Sequence, residues 1–112
     1  MAQVKRALVI GGSMSGLLAA LALARRGWDV AIYERVAEPL AGRGAGIVAQ
    51  PELKGALRAV GLDPDHDLGI EVLNRLMFSR DGRVTHTIPL QQTMTAWDRV
   101  FHLLKAALPE AS

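Results

Sequence analysis

Two hydrophobic rhythms alternate along this chain. After Arg6 the run RALVI, Arg6–Ile10, is continuously apolar. Such a short run predicts a strand buried on both faces of a parallel sheet. It stops abruptly at glycines. From Ser13 to Arg26 the rhythm becomes helical, with Leu17, Leu18 and Leu21 recurring and alanines filling the gaps. Arg25 and Arg26 suit the last turn of that helix, and Gly27 suits its stop. DVAIYE, Asp29–Glu34, is built from β-formers and predicts a second strand. Strand, glycine turn, helix and strand together make one βαβ unit.

Beyond it, Gly42, Gly44 and Gly46 mark a loop. Pro51 can open a helix over Glu52–Val60, with Leu53, Leu57 and Val60 on one face. Gly61 ends that helix, and Asp63-Pro64 keeps it ended. Glu71 to Ser79 and Arg83 to Ile88 are β-like runs around Arg80-Asp81-Gly82, a hairpin pattern. Thr95 with Asp98 three residues later resembles a capping box. It would open a helix from Ala96 to Leu108, with Val100, Leu103, Leu104 and Leu108 as the apolar stripe and Pro109 as the stop. The expected fold class is α/β: a Rossmann-type βαβ dinucleotide-binding unit, then a helix, a β-hairpin and a C-terminal helix. A doubly wound sheet wants a third parallel strand, and no segment clearly supplies one, so the domain reads as incomplete.

The 112 residues suffice for one domain with a modest core. With a formal charge of +2 and acids and bases interleaved, there is no basic stripe for nucleic acid. The absence of cysteine excludes disulfides and thiolate metal sites and fits a reducing, cytoplasmic compartment. His66, His86 and His102 are scattered without ligand spacing, so no metal site is expected. Residues 7–24 are uncharged and follow Lys5 and Arg6, which imitates a secretion signal. Gly11, Gly12, Ser13, Ser15 and Gly16 interrupt that run where an exported or membrane-spanning segment should be continuous. Neither export nor membrane insertion is expected.

The glycine turn carries the chemistry. A helix starting near Met14 points unpaired N–H groups and a partial positive charge at the end of the first strand, which suits a pyrophosphate. Close approach needs small side chains, and the turn reads Gly11-Gly12-Ser13-Met14-Ser15-Gly16. Relative to G-x-G-x-x-G the middle glycine is Ser13, still small and able to donate a hydroxyl hydrogen bond. Glu34, eighteen residues after Gly16 at the end of the second strand, is placed to accept from the ribose hydroxyls of an adenine dinucleotide. Its charge disfavours a 2′-phosphate. These residues leave NAD and FAD both open. Gly42-Arg43-Gly44-Ala45-Gly46 adds a cation near the pyrophosphate and backbone suited to a large flat ligand.

VIGGSMSGLLAALALARRGWDVAIYER, followed by GRGAGIVAQPEL and TMTAWDRVFHLLKAAL, resembles the N-terminal part of the FAD-dependent aromatic-ring hydroxylases, the single-component flavoprotein monooxygenases. The resemblance covers nearly the whole chain. It implies that residues 1–112 are one FAD-binding domain of a longer two-part fold, inactive alone. It also implies that Gly11, Gly12, Ser13, Met14, Ser15 and Gly16 hold the FAD pyrophosphate and Glu34 the ribose. Arg35 and Arg43 would flank the cofactor, while Gly46 and Gln50 would lie toward its flavin. NAD(P)H would be the reductant and a small aromatic or N-heteroaromatic ring the substrate. Trp97 stands where many members carry an arginine, and no catalytic residue is assigned. Two other readings stay open: a small NAD-binding module, and a ligand-free remnant acting through protein contacts.

Overall fold

The computed structural model describes residues 3–36, 46–66 and 68–109. Strand β1 (Arg6–Ile10), helix α1 (Met14–Arg25) and strand β2 (Asp29–Tyr33) form the expected βαβ unit. The two strands are parallel, pairing from Arg6↔Asp29 to Ile10↔Tyr33. Then follow β3 (Gly46–Val48), α2 (Pro51–Ala59), β4 (Ile70–Phe78), β5 (Val84–Ala96) and α3 (Trp97–Ala107). The last three strands form a separate antiparallel sheet in the order β3-β5-β4.

Both α1 and α2 stop as their glycines require. Gly27 and Gly61 have φ of 84° and 85°. In α1 the Gly27 N–H donates to Ala24 O at 3.0 Å and the Trp28 N–H to Leu23 O at 3.1 Å. The same pair closes α2, from Gly61 to Arg58 and from Leu62 to Leu57. This doubly bonded ending needs a left-handed residue, the conformation glycine adopts without steric penalty.

The core lies where α1, α2 and α3 meet. Leu17 and Leu21 of α1, Leu57 of α2, and Trp97, Val100, Phe101 and Leu104 of α3 are buried together with Leu68. Each such side chain contributes about 1.5–3 kcal/mol by leaving water. Trp97 and Phe101, one helical turn apart, have ring centroids 5.4 Å apart. The stripe of α3 is therefore shifted from the one the leucines suggested: Trp97 and Phe101 are buried, while Leu103 and Leu108 are only partly so.

Three other expectations are corrected. β1 is not buried on both faces: Leu8 is 62% and Ile10 80% exposed. Helix α1 covers one face of the parallel pair, and no described helix covers the other. Thr95 does not cap α3. It is in β5, and its hydroxyl donates to the Leu68 carbonyl oxygen at 2.7 Å. Ala96 takes the cap position instead, without a side-chain hydrogen bond. The second hairpin strand runs well past Ile88, to Ala96, because its far half pairs with β3 as well as β4.

Candidate functional site

The parallel register determines the site. Because Ile10 faces Tyr33, the turn leaving β1 lies beside the residue leaving β2. The Gly11 N–H continues the ladder, donating to Tyr33 O at 2.7 Å. One residue on, the Gly12 N–H donates to Oε1 of Glu34 at 3.1 Å. The other carboxylate oxygen, Oε2, accepts from the Val36 N–H at 2.7 Å. The predicted pyrophosphate turn and the predicted ribose carboxylate are thus in direct contact.

Small residues are needed at this turn for two different reasons. Gly11 has φ of 111°, left-handed backbone that disfavours any side chain. At Gly16 the limit is space: a Cβ there would stand 1.9 Å from the Gly11 carbonyl oxygen and 3.4 Å from Cγ1 of Val9. Gly16 therefore lets α1 sit down on its own preceding turn. Gly12 is buried against Glu34, its missing Cβ 3.4 Å from the Glu34 Cβ.

The donors left for an anion follow from this geometry. Gly11 and Gly12 have committed their N–H groups to Tyr33 and Glu34. The Leu17 N–H donates to Ser13 O at 2.9 Å, the first bond into α1. Met14, Ser15 and Gly16 precede it in the first turn, where N–H groups have no carbonyl partner within the helix. Ser13 is the N-cap residue, exposed, and its hydroxyl does not cap the helix. No acidic residue stands in that first turn to oppose an anion.

The remaining predicted residues are placed elsewhere or lie outside the described residues. Arg35 follows Glu34 and is exposed. Arg43, with Gly42 and Gly44, lies outside the described residues. Gly46 belongs to β3, opposite Ala96. Gln50 is the exposed N-cap residue of α2. It lines an open cleft of about 410 Å³ between α2 and β5, with Val48, Lys54, Arg58, Leu90 and Thr93. There the Lys54 ammonium donates to the Thr93 hydroxyl at 3.2 Å, and Arg58 pairs with Asp65 at 2.7 Å. Hydrogen bonding to Arg58 holds the Asp65 carboxyl below its ordinary value.

The sequence reading missed Gly69, where a Cβ would stand 2.2 Å from the Met94 carbonyl oxygen. Its one sequence signal is a glycine directly before an apolar β-run. Among the described residues there is no group of acids and histidines able to hold a metal, and no helix is long and apolar enough to cross a membrane.

Known proteins resemble the chain in sequence and in fold. 2,6-Dihydroxypyridine 3-monooxygenase of Paenarthrobacter nicotinovorans is 39% identical over 100 residues, 86% of this chain and 24% of that protein. The solved 2,6-dihydroxypyridine-3-hydroxylase of Arthrobacter nicotinovorans superposes with a TM-score of 0.79 at 34% identity, over 99% of this chain and 28% of that one. Klebsiella pneumoniae HpxO, solved with FAD and uric acid, shares the fold at a TM-score of 0.72 and 19% identity, over 93% of this chain and 30% of that one. The chain thus spans about a quarter of the length of the relatives it matches. Its expected similarity to part of the FAD-dependent aromatic hydroxylases holds across nearly all of its residues. Residues 9–86 match the family described as NAD(P)-binding Rossmann-like domain. With its βαβ unit, its glycine turn and the carboxylate closing that turn, the chain belongs to the NAD(P)-binding Rossmann-like domain family.

Proposed function

We propose that this chain is the FAD-binding portion of an NAD(P)H-dependent flavoprotein monooxygenase that hydroxylates an aromatic or N-heteroaromatic ring. One observation carries the reading. The Glu34 carboxylate lies against the Gly12 N–H at the mouth of the α1 N-terminus, so a ribose acceptor and a pyrophosphate cradle share one turn. The residues fit an adenine dinucleotide. In the first turn of α1 the N–H groups of Met14, Ser15 and Gly16 receive the diphosphate, and the Ser13 hydroxyl adds a donor. Glu34, which accepts from the Gly12 and Val36 N–H groups beside the turn, is the carboxylate that meets the ribose hydroxyls. Its charge selects a free 2′-hydroxyl over a 2′-phosphate. In this reading Arg35 and Arg43 flank the cofactor, and Gly46 and Gln50 lie toward its flavin.

FAD, when bound, supplies the redox chemistry of such an enzyme, and the protein binds and orients it. By itself the chain is proposed to be inactive, spanning only about a quarter of its relatives. A cytoplasmic setting fits its lack of cysteine.

The test is titration of the purified chain with FAD, followed by flavin fluorescence, with ADP as competitor. Saturable binding displaced by ADP is expected. Glu34→Ala should weaken it by about 1–3 kcal/mol, the loss of a charged hydrogen-bonding group. An unchanged affinity removes Glu34 from the site. The family's description favours a second reading, an NAD-binding module. Saturable NAD binding without affinity for flavin would establish that reading and end the first.

A further inference from the structure

Glu34 is exposed just past the end of β2. A long side chain in that position ordinarily turns freely among its rotamers in water. Here backbone holds both carboxylate oxygens. Oε1 accepts from the Gly12 N–H at 3.1 Å and Oε2 from the Val36 N–H at 2.7 Å. A carboxylate held at both oxygens has its plane and its reach fixed together.

The two donors come from different parts of the fold. Gly12 is buried in the turn after β1, one residue beyond the Gly11 bond to Tyr33. A Cβ on Gly12 would stand 3.4 Å from the Glu34 Cβ, so that side has little slack. Val36 lies beyond the bend at Arg35, and its half-buried side chain packs against the core cluster. The glycine turn and the core thus grip one carboxylate between them. Every bond in this clamp joins residues of the βαβ unit and its exit, so it is internal to the chain whatever longer fold surrounds it. An acceptor already fixed loses little freedom when a hydroxyl meets it. Nor can it swing aside for a group that does not suit it.

We infer that Val36 is a positioning residue for nucleotide recognition. Its N–H, anchored through its half-buried side chain, aims the Glu34 carboxylate and so sets how strongly the site demands a ribose 2′-hydroxyl. This rests on the dinucleotide reading of Glu34. The ligand class selected is an adenosine diphosphate with an unmodified ribose. A 2′-deoxyribose leaves the aimed oxygen without its donor, and a 2′-phosphate brings like charge against it.

The test compares the affinities of ADP and 2′-deoxy-ADP by calorimetric titration of the 112-residue chain, with circular dichroism to verify that each variant is folded. Wild type should prefer ADP roughly tenfold, the worth of a hydrogen bond to a charged group, and Glu34→Ala should lose that preference. Val36→Pro removes the N–H but keeps an apolar side chain. It should lose most of the preference with Glu34 still present. Val36→Ala keeps the N–H but loosens its anchor, and should lose part of the preference. A merely structural disturbance weakens both nucleotides alike and leaves their ratio unchanged. Should Val36→Pro not fold, Val36→Ala decides, and a folded Val36→Ala with the wild-type ratio overturns the inference. A wild-type chain that binds neither nucleotide, or both equally, ends the dinucleotide reading of Glu34 and this inference with it. If wild type prefers ADP and Glu34→Ala does not, folded Val36 variants that keep the full preference overturn the positioning role alone.

Discussion

Gly16→Ala and Gly55→Ala are the same chemical change in two helices, and the structure assigns them opposite signs. In a helix interior alanine is ordinarily better than glycine by about 0.5–1 kcal/mol, because the glycine chain loses more backbone freedom on folding. Gly55 lies in the middle of α2, and an added Cβ meets nothing within 4 Å. Gly55→Ala should gain the full propensity difference. At Gly16 the Cβ would be 1.9 Å from the Gly11 carbonyl oxygen and 2.9 Å from its carbon. Ordinary contact begins near 3.4 Å, so α1 and the turn must part by about 1.5 Å.

Nothing flexible can absorb that movement. The obstacle is backbone, and the Gly11 N–H is held to Tyr33 in the ladder. Overpacking of this kind costs about 1–3 kcal/mol. Less the propensity gain of about 0.5–1 kcal/mol, Gly16→Ala should destabilise by up to roughly 2.5 kcal/mol. Thermal and urea unfolding of both variants measures this. At about 4–8 °C per kcal/mol for a domain near this size, Gly55→Ala should melt a few degrees higher and Gly16→Ala several degrees lower. Displacing the turn should also weaken dinucleotide binding in Gly16→Ala alone. If both variants gain stability equally, the close approach of α1 to its own turn is refuted, and with it the reason for a glycine at position 16.

Thr95→Val keeps the shape of a buried side chain but leaves the Leu68 carbonyl oxygen without its 2.7 Å donor. It should cost about 1–3 kcal/mol in urea unfolding; an unchanged midpoint would mean the bond contributes nothing. The pair of Arg58 and Asp65 gives a prediction in pH. Asp65 has its carboxyl pKa lowered from 3.8 in the fold. Its small contribution to stability is therefore complete above that value and lost as pH falls through the lowered one. An Asp65 carboxyl midpoint at or above 3.8, followed by NMR, would contradict the pairing. Arg58→Ala should bring the midpoint back toward that ordinary value.

The βαβ unit was legible because its determinants are local. Apolar run, glycines, helical leucines and β-formers each act within a few residues, and the boundaries of β1 match the run itself. β3 and the far half of β5 were not legible. Gly46-Ile47-Val48 is three residues led by a glycine, and it is a strand because Thr95 and its neighbours pair with it from almost fifty positions away. Thr95 shows the same effect on a single side chain. Its spacing to Asp98 matches a helix cap, yet the hydroxyl is claimed by Leu68, 27 residues earlier. A local motif is overridden when tertiary pairing holds its residue in a strand and gives its hydroxyl another role.

The candidate site divides along the same line. Glu34 and Gly12 are 22 residues apart, but parallel pairing of β1 with β2 leaves little choice about where they meet. A shift of the register by one residue would carry the carboxylate past the turn and exchange the faces of β2, exposing Val30, which is only 4% accessible. The hydrophobic pattern of β2 thus positions an acidic residue that is itself exposed. Gly46 and Gln50 have no such constraint in the sequence, because their places depend on the second sheet. A glycine motif becomes informative when the strands on either side of it fix what stands beside its turn, and here they fix Glu34.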